Sequence, residues 1–122
     1  MHEPDGLAVV EAEHATRRVL NEVAAERRRQ DAKWGEQDLP DGTGNYDGHG
    51  AERTLRVERA QRRTERHARN GTLTWKHILL EEVCEVRAED DPVRLRIRLV
   101  RVAARAVAWI EAIDRRAEEK RP

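Results

Sequence analysis

Three glutamates, Glu81, Glu82 and Glu85, stand together in the apolar run TWKHILLEEVCEV, residues 74–86. At about 100° per residue, Trp75, Ile78, Leu79, Val83 and Val86 gather on one helical arc, and Glu82 falls inside it. A carboxylate in that position requires a cation, a metal or a hydrogen-bond network, because an unpaired charge in apolar surroundings is strongly disfavoured. Glu82 and Glu85 share a helix face, with Glu89 a further turn along. Carboxylates so spaced suit a hard divalent cation such as Mg²⁺, which keeps water or a substrate phosphate in its remaining positions. An ExxE in a highly charged helix is more often a solvated face with i,i+4 partners. The place of Glu82 in the apolar arc is what makes it a candidate ligand.

One helix further on, arginine replaces acid. Arg94, Arg98, Arg101 and Arg105 are spaced i, i+4, i+7, i+11 and therefore form one stripe. Three readings follow. The stripe pairs with the glutamates of the preceding helix, so that guanidinium stands in for metal, or it is merely a solvated face, or it binds the phosphates of a nucleotide, whose geometry the arginine fork matches. A second stripe, Arg56, Arg59, Arg63 and Arg66, lies in residues 51–70, which carry seven arginines against three glutamates. No aromatic residue interleaves it for base stacking, so a solvated or dimer-rim face is expected rather than nucleic-acid binding. Trp34 and Trp75 are available to contact a base, although core packing or loop anchoring is the commoner role of tryptophan. His2, His14, His49, His67 and His77 show no metal-ligand spacing, and none forms a recognisable nucleophile motif with Cys84.

The elements that would carry these residues are helical. Val9, Ala12, Thr16, Val19, Leu20, Val23 and Ala24 follow helical spacing and predict an amphipathic helix from Leu7 to about Asp31. GEQDLPDGTGNYDGHG, residues 35–50, is a Gly/Asp-rich loop. A second helix spans Ala51 to Arg69 and ends at Asn70 and Gly71. The third begins after Thr74 as N-cap and ends near Asp90, and Asp91 and Pro92 read as N-cap and first residue of a fourth reaching about Glu119. Leu95, Leu99, Val102, Ala106, Trp109, Ile110 and Ile113 form the main apolar face of that last helix. No strand alternation is present, so the class is all-α, an antiparallel bundle of about four helices in one domain, 1–122.

Composition narrows the function classes. Charged residues make up 39% of the 122, hydrophobic residues 38%, and the aromatics are three Trp, one Tyr and no Phe. So thin an apolar complement predicts association into a dimer or higher oligomer. Formal net charge is zero, which argues against a general nucleic-acid or acidic-membrane binder. The single cysteine excludes an intrachain disulfide and, with no apolar h-region in MHEPDG and no membrane-length apolar run, predicts a cytoplasmic protein.

TWKHILLEEVCE, then EDDP, then LVRVAARAVAWIEAIDRR, with the earlier ERRRQDAKWGEQ and PDGTG, resemble the small MazG-like all-α NTP pyrophosphatases of actinobacteria and their phages. The resemblance covers roughly residues 26–45 and 74–116. It implies a helical, commonly dimeric protein that binds Mg²⁺ through EExxE followed by ExxD and cleaves nucleoside triphosphates to monophosphate and pyrophosphate. By position, Glu81, Glu82 and Glu85 match the first motif, with Glu82 and Glu85 as metal ligands and Glu81 as a neighbouring acid or base. The second motif aligns with Arg98 and Arg101, where acid is inverted to base. Glu111 and Asp114 also spell ExxD, but in a single hairpin turning at Asp91 they lie roughly 15–20 Å beyond the first motif at 1.5 Å per residue.

The sequence therefore supports a MazG-like nucleoside triphosphate pyrophosphohydrolase-type domain acting on or binding nucleotides, with hydrolysis impaired. The alternative is a non-catalytic binding or assembly module in which the arginine stripe replaces the metal site. A nucleotide or other phosphorylated small molecule and a second copy of the chain are the expected partners.

Overall fold

A computed structural model describes residues 5–121. The N-terminal residues 1–4, His2 among them, lie outside the described residues. Four helices follow in order: α1 (Gly6–Trp34), α2 (Gly50–Asn70), α3 (Trp75–Ala88) and α4 (Pro92–Glu119). No strand occurs among the described residues, and no helix there is long and apolar enough to cross a membrane.

The chain divides into two compact units. One comprises α1 and the end of α4 from Val107, and the other runs from Pro40 to Ala106. In the first unit, Asp5 caps α1 by accepting from the Ala8 amide at 2.7 Å, and the helix continues past Asp31 to end at Gly35. Val19 and Val107 are buried there, and the Thr16 hydroxyl donates to Glu111 at 2.5 Å. Much of the apolar surface of α1 stays uncovered: Leu7, Val9, Val10, Leu20 and Val23 are all exposed.

In the second unit, α2 packs on α3 around the buried Ala60. Few large apolar residues beyond Leu55 and Val57 mark this helix in the sequence, but a small residue such as Ala60 lets helix backbones approach closely. The corner between them is sealed by histidines. Thr74 accepts from the His77 amide, and the His77 ring returns the contact by accepting from the Thr74 amide at 3.1 Å. A histidine thus fills the place that Glu or Gln takes in a capping box. The His77 ring stacks on His67 with centroids 4.1 Å apart, and burial, then His67, Lys76 and Arg63, push its pKa down.

The Gly/Asp-rich loop is pinned to the end of α3. The Gly44 amide donates to the Arg87 carbonyl at 2.8 Å, the Thr43 hydroxyl donates to the Glu89 carbonyl at 2.7 Å, and the Asn45 amide donates to Asp90 at 2.9 Å. Gly44 makes this possible: its φ is +62°, and a Cβ there would collide with the side chain of Asp90. Asp47 and Arg53 close the other side with paired hydrogen bonds of 2.7 and 2.6 Å, which hold the Asp47 carboxyl down at about 2. Glu89, not Asp90, terminates α3, in extended conformation. Asp91 then caps α4 by accepting from the Arg94 amide at 3.3 Å.

Substituting Gly44→Ala combines a left-handed φ with that collision, so a loss of about 2–4 kcal/mol is expected. A thermal melt should show a Tm lowered by several degrees, whereas Gly42→Ala, with the same sign of φ but open space around it, should cost less.

Candidate functional site: an acid and arginine cluster between two helices

The short turn at residues 89–91 folds the start of α4 back along α3, so that the glutamate face of one meets the arginine stripe of the other. Arg98 is the hub. Its Nε donates to Glu89 Oε1 at 2.8 Å and its Nη1 to Glu85 Oε2 at 3.1 Å. Arg94 Nε reaches Glu89 Oε2 at 3.2 Å, where the Asp91 amide also donates at 3.2 Å. Gln61 from α2 donates to the second oxygen of Glu85 at 3.4 Å. Farther along, Arg105 Nε lies 3.7 Å from Glu82 Oε1, an ion pair without a hydrogen bond.

Burial orders these contacts. Glu89 is 8% exposed, the one buried charged residue among those described, and its hydrogen bonds from Arg98, the Asp91 amide and Arg94 hold its pKa down at about 2. Glu82 is the exception within the cluster: its Oε2 is buried without a hydrogen-bond partner among the described residues. Glu81 carries a carboxyl whose pKa is raised, first by burial and then by repulsion from Glu85, Glu82 and Glu65.

The partners differ in register from the expected ones. Arg98 meets Glu85, but Arg101 is exposed and forms no ion pair among the described residues. Helix geometry explains this, since three residues turn the chain by about −60° and seven by only about −20°. Arg105 therefore lies almost above Arg98, while Arg101 is rotated toward solvent. Glu89 was visible in the sequence only as the next acid along the face. Its central role depends on the helix stopping there, which the EDDP run signals but does not spell out.

Three observations bear on Mg²⁺. The oxygens of Glu85 and Glu89 that face α4 are occupied by guanidinium. A divalent ion placed about 5 Å from Arg98 would be opposed by several kcal/mol at an effective dielectric near 20. Among the described residues no group of three or more Asp, Glu, His or Cys is placed to hold a metal ion. Only the unpartnered oxygen of Glu82 would welcome a cation. The residues present do not fit a multi-carboxylate Mg²⁺ site. Of the arginine stripe, Arg94 and Arg98 hydrogen-bond to glutamates, Arg105 makes only a longer ion pair, and Arg101 has none among the described residues.

The remaining candidates lie elsewhere. Glu111 and Asp114 belong to the other unit, where they line a groove of about 480 Å³ with Glu11, His14, Arg18 and Arg115. Trp34 is exposed at the end of α1, with the Lys33 ammonium 4.8 Å from its ring centre. Trp75 is half-buried at the start of α3. Cys84 is a free, partly buried thiol. No family model matches the chain, and no curated protein or solved structure shows significant similarity to it.

Arg98→Ala strands two glutamates in a partly buried setting and should cost about 2–4 kcal/mol, whereas Arg101→Ala should stay within roughly 0.5 kcal/mol. Denaturant melts of the two variants separate these outcomes. Because the folded Glu89 pKa lies below its ordinary 4.5, the stabilisation is fully present above that pH and is lost as pH falls toward about 2. The wild-type Tm should drop through that window, and Arg98→Met should flatten the drop.

Proposed function

We propose that this chain is a MazG-like helical domain in which arginines have taken the place of metal, and that it works as a non-hydrolytic binding and assembly module. The observation that carries this reading is Arg98 bridging Glu85 and Glu89 at 3.1 and 2.8 Å. Metal-dependent pyrophosphohydrolysis needs those carboxylates free to ligate and a local charge that attracts both cation and nucleotide phosphate. Here Glu89 and the Glu85 oxygen that faces α4 are met by guanidinium groups of the same chain, which leaves Glu82 alone with an unpartnered oxygen.

The assembly half of the proposal rests on uncovered apolar surface. Val9, Leu20 and Val23 are exposed on one flank of α1, and a second copy of the chain is the proposed cover. An exposed apolar flank of this kind favours a homodimer built through α1, in line with the thin aromatic content of the sequence.

A second reading has one observation in its favour. The buried, unpartnered Oε2 of Glu82 and the raised pKa of Glu81 beside it are properties that a hydrolytic site uses, a ligand oxygen and a group able to hold a proton. Under that reading Glu82 would bind the cation, Glu81 would act as acid or base, and the substrate would be a nucleoside triphosphate.

Pyrophosphate release from a panel of standard and modified nucleoside triphosphates, with Mg²⁺ or Mn²⁺, distinguishes the two. The expected result is no turnover above that of Glu82→Gln. Turnover abolished by Glu82→Gln would establish the hydrolase reading instead. In the same preparation, Arg98→Glu combined with Arg105→Asp adds acids beside Glu82 and Glu85. That variant should melt lower without metal and gain several degrees with Mn²⁺, through binding to the folded state alone.

A further inference from the structure

The first half of α4 is apolar on two opposite faces. Leu95 is buried, on the side of the helix from which Arg98 and Arg105 reach the glutamates of α3. Half a turn away, Val93, Ile97 and Val100 are exposed by 70, 49 and 57%, and Ala104 continues the row, also exposed. Their spacing of four, three and four residues keeps them within an arc of about 60°. So narrow and straight a row has the spacing of a helix-helix seam rather than the broad face of a helix lying on its own core. It contains Val, Ile and Ala, and lacks the Trp, Phe and Leu with which interfacial helices enter a bilayer.

The rim of this seam is basic. Arg94 and Arg101 border it on one side and Arg96 on the other, and neither Arg96 nor Arg101 forms an ion pair among the described residues. In paired helices the positions flanking the seam meet the flanking positions of the partner and select it by charge. Counted over whole helices, α1, α2 and α4 of a second copy carry no excess of acid to meet this rim. Packing α4 on α4 sets arginine against arginine, α2 carries seven arginines against three glutamates, and α1 carries six basic residues against five acidic ones. The glutamates of α3 are already directed at α4.

We infer that the outer seam of α4 docks an amphipathic helix of a different protein, with aliphatic residues at heptad spacing and Asp or Glu on both flanks. The inference stands on the outer face of α4 and is independent of whether the α3 glutamates hydrolyse anything.

The test uses the full chain and a synthetic three-heptad helix with Ile and Leu at the core positions and Glu at the flanking ones, beside a twin carrying Lys in place of Glu. Fluorescence anisotropy should show the acidic helix binding and the basic twin at least tenfold weaker. Ile97→Asn, at an exposed position, should weaken binding by roughly tenfold, the size of a central contact. Arg96→Glu with Arg101→Glu should reverse the preference between the twins, and circular dichroism checks that each variant keeps its helix content. Failure of the acidic helix to bind, or equal binding of the twins, overturns the proposal. So does phosphatidylserine-vesicle binding that Ile97→Asn abolishes, which would make the seam a membrane contact. Self-association abolished by Ile97→Asn would likewise overturn it and assign the seam to a second copy.

Discussion

Glu89 and Arg98 set the geometry of the unit that holds the glutamates. Glu89 stands where α3 stops, and its carboxylate is met by Arg98, Arg94 and the Asp91 amide, so one side chain ties the end of one helix to the first two turns of the next. The carbonyl of the same residue accepts from Thr43, and its neighbour Asp90 accepts from Asn45. The loop, the turn and the α3–α4 register therefore converge within three residues. Burying a charge is costly unless every oxygen is answered, and here each is. Glu82, lacking that completeness, is where the cluster retains chemical potential.

The same arrangement sets guanidinium where a metal would otherwise ligate. A cation and an arginine compete for the same carboxylate oxygens, and an arginine tethered nine residues beyond Glu89 competes intramolecularly. In the structure Glu85 and Glu89 pair α3 with α4 through Arg98. Meanwhile α4 is left with an exposed outer apolar row and α1 with an exposed apolar flank.

Much of this was legible in residue spacing, and the failures are instructive. Helical periodicity located all four helices, and Thr74 and the Asp91–Pro92 pair marked the starts of α3 and α4. The opposition of the glutamate face and the arginine stripe followed from a short turn between them. Spacing alone could not choose Arg105 over Arg101, because that choice depends on a rotation of a few tens of degrees about α4 combined with the crossing of α3. The packing of α2 was obscured because Ala60, the contact that matters, is small and carries little weight in a hydrophobic pattern. The His67–His77 stack was invisible, since it joins the end of one helix to the start of another across Gly71, whose left-handed conformation at φ +70° brings them together.

The most direct measurement is a double-mutant cycle on Glu89 and Arg98, using Glu89→Gln, Arg98→Met and the pair, followed by denaturant unfolding with and without Mg²⁺. A coupling of about 2 kcal/mol or more, unchanged by the metal, is the expected result for a buried, hydrogen-bonded pair. A coupling in the roughly 0–1 kcal/mol range of exposed pairs, or one that Mg²⁺ erases, would contradict the claim that arginine has replaced the metal in this site.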